Sequence, residues 1–210
     1  MTPSPWLDIP LADYEAHMAH PSVGQSPVLG DLLESMVGTY TPASIAILGC
    51  AGGNGLDRAG VQRIPRVVGI DINPEYLAEA NRRYAPVVPG LALHCADVES
   101  DDLHFAPVEL IFAALLFEHV DIASTMQNVQ RHCLAGGRLV AVLQLPQTGH
   151  LPVTPTPYPS LQRLAPSMKL VAPSDLAMHA AAAGFSPEAH ITHGLPTGKS
   201  FSVQVFRAGR

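Results

Sequence analysis

The sequence predicts an α/β fold, a doubly wound sheet of about seven strands that is mostly parallel and ends in an antiparallel C-terminal hairpin. Three observations carry this. Apolar runs of strand length alternate with stretches of helical periodicity between residues 41 and 183. One such run, Ile45 to Leu48, breaks into a segment with four glycines (Gly49, Gly52, Gly53, Gly55) and returns as a second apolar run ending in Asp71. The last two β-like runs are joined by the short connector LPTGKS. Parallel strands need right-handed helical crossovers, whereas a hairpin connection makes its strands antiparallel.

Residues 1–40 precede the sheet. After a proline-rich start, LADYEAHMAH (11–20) reads as a short helix. Val28 to Met36 reads as a second, its apolar positions 28, 29, 32, 33 and 36 following the helical period. Tyr14, Glu15, His17 and Met18 mix polar and apolar groups on one short helix, and Gln25 lies in the connector. Two readings stand for this segment: a lid that closes over substrate, or a helix packed on the sheet edge. The expected division is an N-terminal helical lid or extension, residues 1–40, ahead of a sheet domain, residues 41–210.

Thr41-Pro42 opens the sheet domain, and Ile45 to Leu48 is strand one. A helix is expected from about Asn54 to Gln62, then strand two, VVGID (67–71). Asn73 is placed to cap the next helix, PEYLAEANRRY (74–84), with Pro74 at its first position. Leu91 to Cys95 is strand three and runs into Ala96-Asp97-Val98. The nearly uninterrupted apolar run Leu110 to Phe117 fits a parallel strand buried on both faces, ending at Glu118-His119-Val120-Asp121. A helix from about Ala123 to Cys133 is expected to stop at Ala135-Gly136-Gly137, and Arg138 to Leu145 is strand five.

Seven prolines between Pro146 and Pro173 rule out regular helix or central strand there. This stretch leaves the ligand-binding edge of strand five, and it reads as a substrate-side loop (146–173) or as an inert connector. Ser174-Asp175 then cap a helix through Ala183, stopped by Gly184, and the hairpin runs from Glu188 to Gly209.

Bulk properties exclude several classes. With 47% hydrophobic and 14% charged residues over 210 positions, the chain is globular rather than disordered or fibrous. Its net charge of −6 and dispersed arginines provide no basic face for nucleic acid, and no basic amphipathic stretch suits an anionic membrane. Three cysteines, Cys50, Cys95 and Cys133, form no CxxC pair. The start, MTPSPWLDIP, lacks the features of a secretory signal, and no apolar run approaches the roughly 20 residues that span a bilayer. A cytoplasmic location is expected, and monomer or homodimer stays open.

The glycine segment has a physical task. A strand turning sharply into a helix needs backbone angles open mainly to glycine, and the missing Cβ atoms let a ligand approach the main chain. An acid at the end of the next strand is placed to accept hydrogen bonds from ribose hydroxyls. The unit therefore predicts a bound nucleoside. NAD enzymes and S-adenosylmethionine (SAM) enzymes both use this arrangement, and a plain structural turn is also glycine-rich.

The order of elements from 41 to 210 resembles the class I SAM-dependent methyltransferases, whose Rossmann-like sheet ends in a reversed seventh strand. LGCAGGNG (48–55), with Gly49, Cys50, Ala51, Gly53 and Gly55, looks like the family's first motif, whose backbone lies against the methionine part of SAM. The resemblance places Asp71 on the ribose hydroxyls with Ile72 beside the adenine. It places Asp97 on the adenine amino group with Val98 offering a backbone N–H. Ala113 to Leu115 match the end of strand four, whose carbonyls hold the SAM amino group in the family. Ile47 is a departure, since many members carry an acid two places before the first glycine. The implied activity is methyl transfer from SAM to a small-molecule acceptor, leaving S-adenosylhomocysteine (SAH). An NAD(P)-binding oxidoreductase and a non-catalytic SAM-binding protein are the alternatives. Against the first, no tyrosine has a lysine four places on, as short-chain dehydrogenases require; the only lysines are Lys169 and Lys199.

Methyl transfer is an in-line displacement that owes much to holding nucleophile and methyl in line. A base is needed only when the nucleophile carries a proton that must leave early. Glu118 and His119, after strand four, are the candidate catalytic groups, with a capping or loop histidine as the other reading of His119. Tyr14, His17, Gln144 and Tyr158 are candidate substrate contacts. A metal is not expected: His17/His20 and His190/His193 have ligand-like spacing, but no third and fourth ligand is evident.

Overall fold

The computed structural model describes residues 4–100 and 102–209. A 3-10 helix, Pro5–Asp8, leads into α1 (Leu11–Ala19) and α2 (Gln25–Tyr40). Then come β1 (Ser44–Leu48), α3 (Ala59–Gln62), β2 (Arg66–Asp71), α4 (Pro74–Tyr84), β3 (Leu91–Cys95) and β4 (Val108–Ala114). The chain continues through α5 (Ile122–His132), β5 (Cys133–Gln144), a 3-10 helix at Pro159–Leu164, α6 (Pro173–Ala182), β6 (Phe185–Gly194) and β7 (Ser200–Ala208). One seven-stranded sheet has the order β3-β2-β1-β4-β5-β7-β6. The first five strands pair in parallel, and β7 lies antiparallel between β5 and β6. The architecture is the one the sequence predicts.

Alternation along the strands divides the core into two layers. Ile45 and Ile47 of β1, with Phe112 and Val142, join Leu29, Leu32, Leu33 and Val37 of α2. Ala46 and Leu48, with Ile111 and Ala141, join Met126 and Val129 of α5 and Leu176 and Ala180 of α6. In α2 the buried leucines and Val37 recur every third or fourth residue, so one face is committed to the sheet. Each fully buried side chain of this kind contributes about 1.5–3 kcal/mol. Asn73 caps α4 as expected, its Oδ1 accepting from the N–H groups of Glu75 at 3.0 Å and Tyr76 at 3.4 Å.

Several boundaries differ from expectation, each for a local reason. The helix expected from Asn54 shrinks to α3, because Gly53 (φ 101°) and Gly55 (φ 83°) are left-handed and cannot continue a helix. β4 ends at Ala114 rather than Phe117, since Leu115 takes φ 53° and turns its N–H to the carbonyl of Val142 at 2.8 Å. Gly136 and Gly137 do not stop α5. That helix ends at His132, and the glycine pair lies inside β5, where pairing with β4 shifts from Val108–Cys133 to Leu110–Arg138. Ser174 and Asp175 lie inside α6, and its N-cap is Ala172 without a side-chain bond. α2 is longer than expected at both ends, and β6 begins at Phe185, its Pro187 tolerated on an edge strand. No helix among the described residues is long and apolar enough to cross a membrane.

The sheet order reverses between β1 and β4, and the C-terminal ends of β2, β1, β4 and β5 lie side by side there. Such a switch point is where open α/β sheets bind ligands.

Candidate functional site

A cavity of about 590 Å³ lies over these strand ends, in the range of small-molecule and cofactor sites, about 300–1,000 Å³. Its floor comes from the ends of β1, β2, β4 and β5, and residues from the front segment, α1, α2 and the proline-rich segment also line it.

The nucleoside-like end is built around Asp71. Its Oδ2 accepts the N–H of Ala51 at 2.8 Å and its Oδ1 the N–H of Asn73 at 2.9 Å, so one carboxylate fastens the glycine loop to the end of β2. Burial pushes the Asp71 pKa up, and the N–H donors of Asn73, Ala51 and Ile72 oppose that shift. Ala51 itself has φ 46°. The loop is packed tightly on its outer side: a Cβ at Gly53 would stand 2.3 Å from the Tyr84 ring, and one at Gly55 2.4 Å from Leu33.

The front segment covers this loop. The amide of Asn54 donates to the Tyr14 hydroxyl at 2.8 Å, and a Cβ at Gly52 would meet Glu15 at 2.7 Å. Arg83 of α4 pairs with Glu15 at 2.5 Å and with Glu79 at 2.6 Å. Asn73 donates to the carbonyl of Trp6 at 2.9 Å, and the Tyr76 hydroxyl to that of Ile9 at 2.7 Å. The rings form a continuous wall: Trp6 stands edge-on to Tyr14 and His119 with centroids 5.7 and 5.1 Å apart, and Tyr14 stacks on Tyr76 at 6.2 Å.

The opposite end, over β5, holds a buried polar group. Gln144 Oε1 accepts from Gln25 Nε2 at 2.9 Å and from Lys199 Nζ at 3.3 Å. Gln144 Nε2 and Lys199 Nζ both donate to the Pro152 carbonyl, at 3.0 and 2.9 Å. Nearby, His17 Nδ1 shares a 2.8 Å hydrogen bond with the Thr156 hydroxyl. Burial lowers the Lys199 pKa to about 8, while burial and then the Lys199 charge lower that of His17 to about 4. Burial also takes His119 down to about 4, so its imidazole is neutral near pH 7.

The cavity brings together Gly49, Ala51, Gly55, Asp71 and Ile72 with Asp97, Val98 and Leu115 of the expected cofactor set. It also receives His119, Tyr14, His17 and Gln144. Cys50, Gly53 and Ala113 lie outside its lining; Cys50 is fully buried under the loop, beside Gly69. Glu118 lies outside the lining as well. It is 1% exposed, its Oε1 accepts the N–H of Gln144 at 2.7 Å, and burial raises its pKa to about 7. Its place follows from the Leu115 turn, which ends β4 before Glu118 is reached. Tyr158 likewise misses the lining and packs with Ile9, Val153, Leu161 and Leu164. Sequence reasoning passed over Trp6, Asn54 and Tyr76, which line the cavity, and Lys199, which lies outside the lining and donates to Gln144. Their only signals were that Trp6 is the single tryptophan and Lys199 one of two lysines.

A glycine turn after β1, acids after β2 and β3, and a reversed last strand between β5 and β6 together define the class I SAM-dependent methyltransferase fold. Residues 47–141 match the sequence model described as a methyltransferase domain. Solved structures share the fold at low identity. The N-methyltransferase NodS from Bradyrhizobium japonicum WM9, in complex with SAH, is 14% identical with a TM-score of 0.65, covering 90% of this chain and 89% of its own. Magnesium protoporphyrin IX methyltransferase (ChlM) from Synechocystis PCC 6803, with bound SAH, is 15% identical with a TM-score of 0.68, covering 89% and 84%. The [4+2]-cyclase SpnF is 15% identical with a TM-score of 0.65, covering 85% and 81%. No curated protein matches the sequence.

Proposed function

We propose that the chain binds SAM and transfers its methyl group to a small-molecule acceptor in the same cavity. The observation that carries this is the continuity of one cavity from Asp71 and Asp97 at the ends of β2 and β3 to a covered chamber over β4 and β5. A carboxylate has about four lone-pair sites, and the described backbone donors leave Asp71 sites for ribose hydroxyls. Asp97 and the Val98 N–H take the adenine, and the loop from Gly49 to Gly55 runs along the methionine part, as in the family. NodS and ChlM, each solved with SAH, support the same ligand here.

In the transfer, an acceptor lone pair forms the new bond to the methyl carbon. The C–S bonding pair stays on sulfur and leaves neutral SAH. His119 lies beside Trp6 with a neutral imidazole, suited to accept a hydrogen bond from a nucleophile and to hold it in line. The shared volume and the net charge of −6 support a small acceptor. SpnF is a cyclase on this fold, so binding and transfer are separate questions.

Calorimetric titration with SAH, NADH and NADPH tests the cofactor. Saturable binding of SAH alone supports the reading; binding of a nicotinamide overturns it. Conversion of SAM to SAH coupled to methylation of an added acceptor then separates an enzyme from a binding protein.

A further inference from the structure

The group formed by Gln25, Gln144 and Lys199 is not needed to hold the nucleoside. Asp97 follows β3 and Gln144 ends β5, four strands along the sheet order. At about 4.8 Å per strand that is about 19 Å. Gln25 and Gln144 therefore line the acceptor end of the cavity, whose lining also includes apolar residues such as Met18, Leu29, Val153 and Leu161, and Lys199 lies behind Gln144 and Pro152, outside the lining.

Its donors outnumber its acceptors. An ammonium has three N–H donors and a primary amide two. Lys199 uses two of its three, on Gln144 and Pro152, while Gln25 and Gln144 each use one of two. Each of the three side chains keeps an N–H without a protein partner among the described residues. Lys199 is 3% exposed, and among the described residues no carboxylate pairs with it. A buried ammonium balanced only by an amide and a carbonyl leaves a positive field, which after burial is the second cause of the depressed pKa of neighbouring His17.

We propose that Gln25, Gln144 and Lys199 form the anchor for a carboxylate on the acceptor, so that the substrate class is a small, otherwise apolar carboxylic acid. This rests on reading the cavity as a SAM and acceptor site. The carboxylate takes the spare amide donors of Gln25 and Gln144, which line the cavity, in the field of the Lys199 ammonium behind them, and the apolar lining residues pack on the rest of the molecule. His119 and Trp6 line the same cavity, where the methyl-accepting atom lies when the carboxylate is seated.

The test uses the full chain saturated with SAH. Butanoate, hexanoate, octanoate and 3-phenylpropanoate are titrated, each against its primary amide, by calorimetry and by the fluorescence of Trp6. At least one carboxylate is expected to bind about tenfold or more tighter than its amide. Lys199→Gln, which keeps a donor for the Pro152 carbonyl, is expected to erase that preference with SAH affinity unchanged within about twofold. Gln25→Glu is expected to abolish carboxylate binding, and it serves in place of the lysine variant if that one does not fold. Equal binding of acid and amide, failure of the whole carboxylate series, or a preference that survives Lys199→Gln overturns the anchor. Failure of SAH itself to bind is a different result and overturns the function proposed for the cavity.

Discussion

The backbone N–H of Ala51 donates to the Asp71 carboxylate at 2.8 Å, so the acid at the end of β2 closes the glycine loop while facing the cavity. One residue thereby carries a structural and a proposed binding task. Asp71→Ala is expected to weaken SAH by about 1–3 kcal/mol and to lower folding stability by a similar amount, because the N–H groups of Ala51 and Asn73 lose their acceptor. Asp71→Asn keeps an acceptor oxygen and is expected to recover much of the stability but less of the affinity. Calorimetry and denaturant titration separate the two. Unchanged SAH affinity in a folded Asp71→Ala variant would sink the ribose assignment.

Tyr14 ties the front helix to the loop through Asn54. Tyr14→Phe leaves the ring stack with Tyr76 and removes only the hydroxyl, so about 0.5–1.5 kcal/mol of loop restraint is lost. If α1 acts as a lid, stopped-flow release of SAH is expected to accelerate several-fold with the fold intact. If α1 is merely packed on the sheet edge, stability falls and the release rate does not change.

Stability against pH has opposing contributions from neighbours in sequence. Unfolded, His119 takes a proton near 6.5; folded, burial delays this to about 4. Between those values the unfolded chain binds more protons, so stability falls as pH drops from 6.5 to 4, by about 3 kcal/mol for this shift. His17 acts in the same direction. Glu118 is raised from 4.5 to about 7 by burial, so its contribution is fully present below 4.5 and is lost as pH rises through 7. In the shared window from pH 4.5 to 6.5 it offsets the histidines. Glu118→Gln is therefore expected to make the acid loss across that window steeper by about 2–3 kcal/mol than in the wild type, measured by chemical denaturation.

The strand ends were legible because burial on both faces and the placement of acids leave a periodic trace. Val67 to Asp71 reads as a strand carrying an acid at its end, and the structure has that arrangement. The cavity contact of Trp6 and the burial of Lys199 behind Gln144 left no such trace. Trp6 acts from a short turn whose position depends on Asn73, 67 residues away, and Lys199 is buried because Gln144 and the Pro152 carbonyl receive it across 55 and 47 residues. The burial of Glu118 outside the cavity lining left no trace for a related reason: periodicity cannot show that Leu115 adopts a left-handed backbone and ends the strand early. The glycine run was read correctly as a loop but too briefly, since its left-handed positions extend through Gly55.

Gly69 offers a test of how the core supports that loop. It lies in β2 opposite Ile47 and Leu93, and an added Cβ would stand 2.6 Å from Leu93 Cδ2 and 3.0 Å from Cys50 Sγ. Leu93 is only partly buried and can rotate away; Cys50 is fully enclosed and cannot. Gly69→Ala is therefore expected to destabilise by about 1–3 kcal/mol through overpacking against Cys50. Cys50 directly precedes Ala51, whose N–H holds Asp71, so the same variant is expected to weaken SAH although residue 69 lies outside the cavity lining. Cys50→Ala removes the obstructing sulfur. In the double variant both stability and SAH affinity are expected to exceed the sum of the single effects by about 1 kcal/mol. Strict additivity would place the collision on Leu93 instead, and stability loss without any change in SAH affinity would separate the loop's position from the packing beneath it.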